Sequence, residues 1–139
     1  MKAQRRGRRI ALTEEERDAF LSSARTCRVA TVNARGPHVS PLWFLWHGGS
    51  IWLYSITSSQ RFTDLQRDPR IAIVVDDGVE YNELRGVEIT GRARIVGEVP
   101  RVGPNLFQSR PPMRGSIRSG RRCVTTVDTR GSRSTYRRL

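Results

Sequence analysis

The sequence is poor in cysteine, histidine and long apolar runs, and each shortage closes off a class of protein. Only two of its 139 residues are cysteine and two are histidine. Cys27 and Cys123 make no disulfide framework, and with no second pair they make no zinc site. Both are expected to be buried small hydrophobes in a reducing compartment, the cytoplasm. No run approaches the roughly 18–20 apolar residues of a bilayer-spanning helix, so no membrane association is expected. The start Met1-Lys2-Ala3-Gln4-Arg5-Arg6 lacks the apolar stretch of a secretory signal. A nucleophile elbow, a P-loop, paired His ligands and a Gly-rich dinucleotide fingerprint are all missing. Internal acid–base hydrolysis is thereby disfavoured and no metal is expected. An enzyme built on this chain would borrow its chemistry from a cofactor, and no side chain stands out as catalytic.

Acidic residues are scarce only at the two ends. The chain carries 25 Lys plus Arg against 13 Asp plus Glu, a net +12. Residues 1–9 hold +5, residues 101–139 hold +9, and residues 10–100 between them sum to −2. This divides the chain into a basic tail over 1–12, one domain over 13–128 and a second basic tail over 129–139. The length suits a single core. Within the domain, residues 100–121 read as an irregular basic stretch, with seven Gly or Pro and five Arg among 22 positions.

Thr13-Glu14-Glu15-Glu16 has capping-box spacing and three carboxylates for the positive end of a helix dipole. It predicts a helix with Phe20, Leu21 and Ala24 as its apolar edge, fading near Arg25 and covering one end of a sheet. Strands follow over Cys27–Val32, Val39–Trp46 and Ile51–Ser55, with turns at Asn33–Gly36 and His47-Gly48-Gly49. A short helix is predicted over Ser59–Arg67, stopped by Asp68-Pro69. Arg70–Val75 is apolar almost throughout and reads as a strand buried on both faces. Leu84–Val96 is a long strand in which Gly86 and Gly91 read as bulges or bends, and Cys123–Val127 completes the set. Short strands joined by tight turns argue for an antiparallel barrel.

Two clusters could carry chemistry. Ser55-Ile56-Thr57-Ser58-Ser59-Gln60-Arg61 gathers hydroxyls, an amide and a guanidinium where a strand gives way to a helix. Free amides at a helix start attract anions, and Ser, Thr and Arg complete a phosphate cradle. The same residues also serve as a plain helix cap with surplus hydroxyls. Trp43, Phe44, Trp46, Trp52 and Tyr54 form an aromatic group on two strands, suited to core or dimer packing or to a flat wall for a planar ring. Strand alternation sends Trp43 and Phe44 to opposite faces, so at most half the group can face one ligand. His38 and His47, at a strand start and a turn, read as surface hydrogen-bonders.

Arg28–Val32, Gly36–Phe44, Ile51–Ser55, Ser59–Arg61, Leu65–Arg70 and Arg85–Ala93 occur in an order and spacing that resemble the pyridoxamine 5′-phosphate oxidase-like proteins. The similarity runs from about residue 13 to 99, and is strongest to the actinobacterial branch that uses the deazaflavin coenzyme F420. The resemblance implies a mainly β fold, an antiparallel six-stranded split β-barrel of the FMN-binding type with an N-terminal helix and a short helix after strand 3. It implies a homodimer with two cofactor sites at the subunit interface. The cofactor phosphate then falls on Ser55, Ser59, Gln60 and Arg61, and its ring lies against Ser40, Pro41, Leu42 and Trp43. The partner's loop around Tyr81 closes the site. Arg61 replaces a customary Lys. Asp64 stands where relatives often have Asn, and its carboxylate would repel a phosphate unless it points away or pairs with Arg67. Thr135 replaces a Trp of the usual ending.

The function this implies is an F420-dependent oxidoreductase moving a hydride between the cofactor and a small unsaturated substrate. FMN on the same fold is the alternative cofactor. A basic nucleic-acid binder using the arginine-rich ends, or a family member that folds without binding anything, are the competing readings.

Overall fold

The computed structural model describes residues 11–56, 58–96 and 122–128, with the backbone alone described at 54–56, 122–126 and 128. The elements run α1 (Glu14–Ser23), β1 (Thr26–Asn33), β2 (Gly36–His47), β3 (Ser50–Ile56), α2 (Gln60–Arg67), β4 (Arg70–Asp77), β5 (Arg85–Val96) and β6 (Arg122–Asp128). The basic tails over 1–9 and 129–139, the stretch 100–121, Thr135 and the side chains of Ser55 and Cys123 lie outside the described residues.

The capping box forms as its spacing predicts. Glu16 donates its backbone N–H to Thr13 Oγ1 at 3.2 Å, and Thr13 N–H donates to Glu16 Oε2 at 2.9 Å. The helix ends at Ser23, with Ala24 as its C-cap. Phe20 and Leu21 are buried from this helix. The guanidinium of Arg85 lies over the Phe20 ring at 5.0 Å, and that of Arg17 over Trp46 at 5.7 Å. These contacts fasten α1 across one end of the strands.

All strand pairs are antiparallel, and they close into a barrel in the order β1-β2-β3-β6-β5-β4. Two strands of 12 residues make closure possible. β2 pairs with β1 over Gly36–Trp43 and with β3 over Phe44–His47. β5 pairs with β4 over Arg85–Arg92 and with β6 over Ala93–Val96. Each long strand therefore serves two half-sheets, which gives the mainly β, six-stranded split barrel expected of the sequence. Gly86 and Gly91 are not bulges, because the β4–β5 register passes through Asp76↔Gly86 and Ile71↔Gly91 without a skipped residue. At Gly86 a Cβ would come within 3.1 Å of the Val75 carbonyl oxygen, so close approach of the neighbouring strand is what favours glycine there.

The core is built by period-two alternation. Val29 from β1, Phe44 from β2, Ile51 and Leu53 from β3, Ile73 from β4, Ile89 from β5 and Val127 from β6 all point inward and are buried. β4 departs from expectation. Ile71, Ile73 and Val75 are buried, but Val74 is exposed and Ala72 only half-buried. An apolar run is buried on both faces only when a second layer covers it, and within one chain nothing described covers the outer face of β4. The same bare face continues across β1 and β2 through Val32, Val39 and Trp43.

A candidate anion site under the second helix

The site is assembled where β3 hands over to α2. Ser59 is the N-cap, and its Oγ accepts from the Phe62 backbone N–H at 3.2 Å. Accepting leaves the hydroxyl proton of Ser59 available to donate elsewhere. The backbone N–H groups of Gln60 and Arg61 belong to the first turn of the helix, whose donors have no intrahelical acceptor. The positive end of the helix dipole lies at the same place. Arg61 does not extend into solvent. Its Nη1 donates to Ser40 Oγ on β2 at 2.9 Å, and the residue is half-buried. Burial pulls the guanidinium below its usual value, opposed by neighbouring Cys27. Ser40, as acceptor, likewise keeps a proton to give. The junction thus offers hydroxyl donors, backbone amides and a cation within one small region, the chemistry that a phosphate requires.

Cys27 lies under this cation. It is almost fully buried, and desolvation pushes its thiol up to about 12, although Arg61 and Arg28 pull the other way. A thiol so placed is neutral and serves as packing.

Asp64 is the least expected side chain of the group. It is fully buried, and its partners among the described residues are Gln60, Thr31 and Asn33, not Arg67. Its Oδ1 accepts from Gln60 Nε2 at 2.7 Å, and its Oδ2 accepts from Thr31 Oγ1 at 3.2 Å and Asn33 Nδ2 at 3.3 Å. Burial alone would raise its pKa. The three donors, with a smaller contribution from the charge of His38, outweigh that and hold the carboxyl below its ordinary value. Neutral donors therefore carry a buried anion one helical turn from Arg61, instead of an ion pair between the two.

The positions singled out in the sequence divide on this frame. Ser40 and Leu42 sit on the inner side of β2, where Ser40 meets Arg61 and Leu42 packs against the core. Pro41 and Trp43 fall on the outer side and are exposed. Ser59 and Arg61 take part as described, whereas the Gln60 amide nitrogen is committed to Asp64. Tyr81 is exposed at 71% in the loop between β4 and β5, and none of the described hydrogen bonds joins it to the cluster. Thr31, Asn33 and His38 join the surroundings of Asp64 without a sequence motif to mark them. His38 Nδ1 is buried and takes no partner among the described residues, so this histidine is not the surface hydrogen-bonder its position suggests. A usable signal was present: His38 and Ser40 are two apart on one strand and must share a face, opposite Thr31 in the neighbouring register. Among the described residues no group of His, Cys, Asp and Glu could hold a metal. No helix among them is long and apolar enough to cross a membrane.

Six antiparallel strands closed into a split barrel, with one helix across an end and a second after β3, define the class of fold. The family model described as pyridoxamine 5′-phosphate oxidase matches residues 13–110, and the chain belongs to that family. Among solved structures it is similar to a conserved hypothetical protein from Mycobacterium tuberculosis, at 31% identity over 96% of this chain and 89% of that one, TM-score 0.74. The FAD-binding protein from Mycobacterium smegmatis shares the fold at 17% identity over 91% and 96%, TM-score 0.63. A protein described as an F420 reductase shares it at 19% identity over 88% and 96%, TM-score 0.57. No curated protein matches the chain.

Proposed function

We propose that this protein is an oxidoreductase that binds a phosphorylated deazaflavin, F420, with FMN as the alternative, at the Ser40–Ser59–Arg61 notch. The observation that carries the reading is the Arg61 guanidinium, drawn back to Ser40 beside the first amides of α2. The donors fit the group: two serine hydroxyls retain protons, the helix start supplies amides, and Arg61 supplies charge. When bound, the deazaflavin ring gives or takes a hydride. The protein's share is to hold the phosphate, to lay the ring along β2 near Leu42, and to keep water from a small unsaturated substrate. No nucleophile is required, in keeping with a sequence that carries no nucleophile elbow.

The reading includes a homodimer. Val39 is 62% exposed and Trp43 41% exposed, beside Val32 and Val74 on one continuous sheet face. Exposed apolar area of this kind marks an interface, and a second copy there could bring its Tyr81 loop to the notch. Val39→Asp is then expected to convert a dimer to a monomer in sedimentation velocity. An unchanged mass, or a monomeric wild type, refutes the dimer.

The cofactor is tested by titrating F420 and FMN into wild type and Arg61→Ala. Loss of a charge-assisted phosphate contact costs about 1.5–3 kcal/mol, a weakening of about 10- to 150-fold. Equal affinity of the two proteins refutes Arg61 as the phosphate ligand, and no binding of either compound ends the redox reading.

A further inference from the structure

The second helix is fastened to one β-hairpin at two points. Arg61 donates from Nη1 to Ser40 Oγ on β2. Further along α2, Asp64 accepts from Thr31 Oγ1 and Asn33 Nδ2 on β1. The strands are paired neighbours, with Val29 opposite Ser40 and Thr31 opposite His38. The residues that make the two attachments are about 4.5 Å apart along the helix axis. Their anchors are about 6.6 Å apart along the hairpin. Asn33 carries the second attachment into the β1–β2 turn, because its Oδ1 accepts from the Arg35 backbone N–H at 2.8 Å. Gln60, in the first turn of α2, donates to the same carboxylate.

Phe62 and Leu65 are buried from the same helix. Apolar contact is non-directional, so by itself it lets a helix of eight residues slide or rotate slightly on the barrel. A buried carboxylate is a costly way to add stability, since apolar packing of the same volume often does as well. What it adds is direction, through three hydrogen bonds at a residue excluded from water. We propose that Asp64 is the positioning residue of the notch. By tying α2 to Thr31 and Asn33, it sets where the Ser59 hydroxyl, the first-turn amides and Arg61 stand relative to Ser40. This rests on the notch being a phosphate site. Asp64 touches no ligand; it acts through the helix that carries the donors. Several donors that bind one phosphate must be placed to within about 0.5 Å, and a helix released at Asp64 presents the same donors out of place.

The test titrates F420 and FMN into wild type, Asp64→Ala, Asp64→Asn, Arg61→Ala and Val87→Ala, at a temperature where each is folded by circular dichroism. Asp64→Ala is expected to weaken binding about tenfold, the low end of what a charge-assisted phosphate contact carries. Asp64→Asn keeps an acceptor oxygen and should bring affinity back to within about threefold of wild type. Val87 is a buried valine of β5 that makes none of these hydrogen bonds. Val87→Ala destabilises by leaving a cavity and should bind as wild type does, which separates positioning from a general loss of stability. Unchanged affinity in Asp64→Ala, an equal loss in Val87→Ala, or an Asp64→Asn as weak as Asp64→Ala overturns the positioning role while the phosphate site stands. Should Asp64→Ala not fold, Thr31→Val removes the buried donor and should weaken binding about threefold; unchanged affinity there overturns the proposal. Binding that Arg61→Ala does not weaken, or no binding of either compound to wild type, overturns the phosphate site and the proposal with it.

Discussion

Removing the Asp64 side chain is the sharpest probe of how the second helix is held on the barrel. Asp64→Ala deletes the acceptor shared by Gln60, Thr31 and Asn33. Asn33 and Gln60 are partly open to solvent, so water replaces much of what they lose. Thr31 is 1% exposed and has no such recourse. A buried donor stripped of a charged partner costs about 1.5–3 kcal/mol, and the two wetter bonds add a few tenths each, giving about 2–4 kcal/mol in all. For a domain of this size that is a Tm drop of roughly 6–16 °C. The depressed pKa fixes the sign of the pH dependence. The folded site favours the ionised carboxyl, so its stabilisation is complete above the unfolded carboxyl value of 3.8 and fades as pH falls through the lower folded value. The gap in urea-unfolding free energy between wild type and Asp64→Ala should thus be full at pH 7 and smaller at pH 3. Asp64→Asn keeps an acceptor and should cost about 1 kcal/mol. A loss under about 0.5 kcal/mol in Asp64→Ala, or a gap that widens towards acid, refutes the account.

Other perturbations test the loops and the buried thiol. Gly78 has φ +101°, and a Cβ there would lie 2.5 Å from the Glu83 carbonyl oxygen, whereas Gly36 at φ +115° has open space around it. Gly78→Ala should therefore cost at least about 2 kcal/mol and Gly36→Ala about 1 kcal/mol, and urea midpoints in the reverse order would contradict the loop geometry. In a Cys123→Ser background, Cys27 should resist a disulfide reagent at pH 8 for as long as the protein is folded and react fully in urea, because its thiol is buried and pushed up to about 12. Rapid labelling of the native protein would refute that burial.

Much of the fold was legible because it is written locally. The Thr13–Glu16 box, the alternation Ile51-Trp52-Leu53 and the turn glycine Gly36 each depend on a few neighbouring residues. What was not legible depends on partners distant in sequence. The apolar run of β4 cannot reveal whether a layer covers its outer face, and the glycines of β5 cannot reveal whether the ladder slips beside them. The site shows the same divide. Ser59 as a cap and Arg61 as a cation follow from local spacing. The fate of Asp64 required knowing that Thr31 and Asn33 would arrive from a strand some 30 positions earlier. The burial of His38 Nδ1 is likewise not written in its immediate sequence neighbours.

The barrel is shut by β6, the last of the described strands to leave the ribosome. Its backbone fills the gap between β3 and β5, matching Ile51 to Val127 and Ala93 to Val127 on its two sides. Until residues 122–128 are made, five strands wait with two raw borders, each a row of unanswered amides and carbonyls able to recruit a strand from another nascent chain. Synthesis of this protein thus passes through an interval in which unpaired strand edges are open to aggregation.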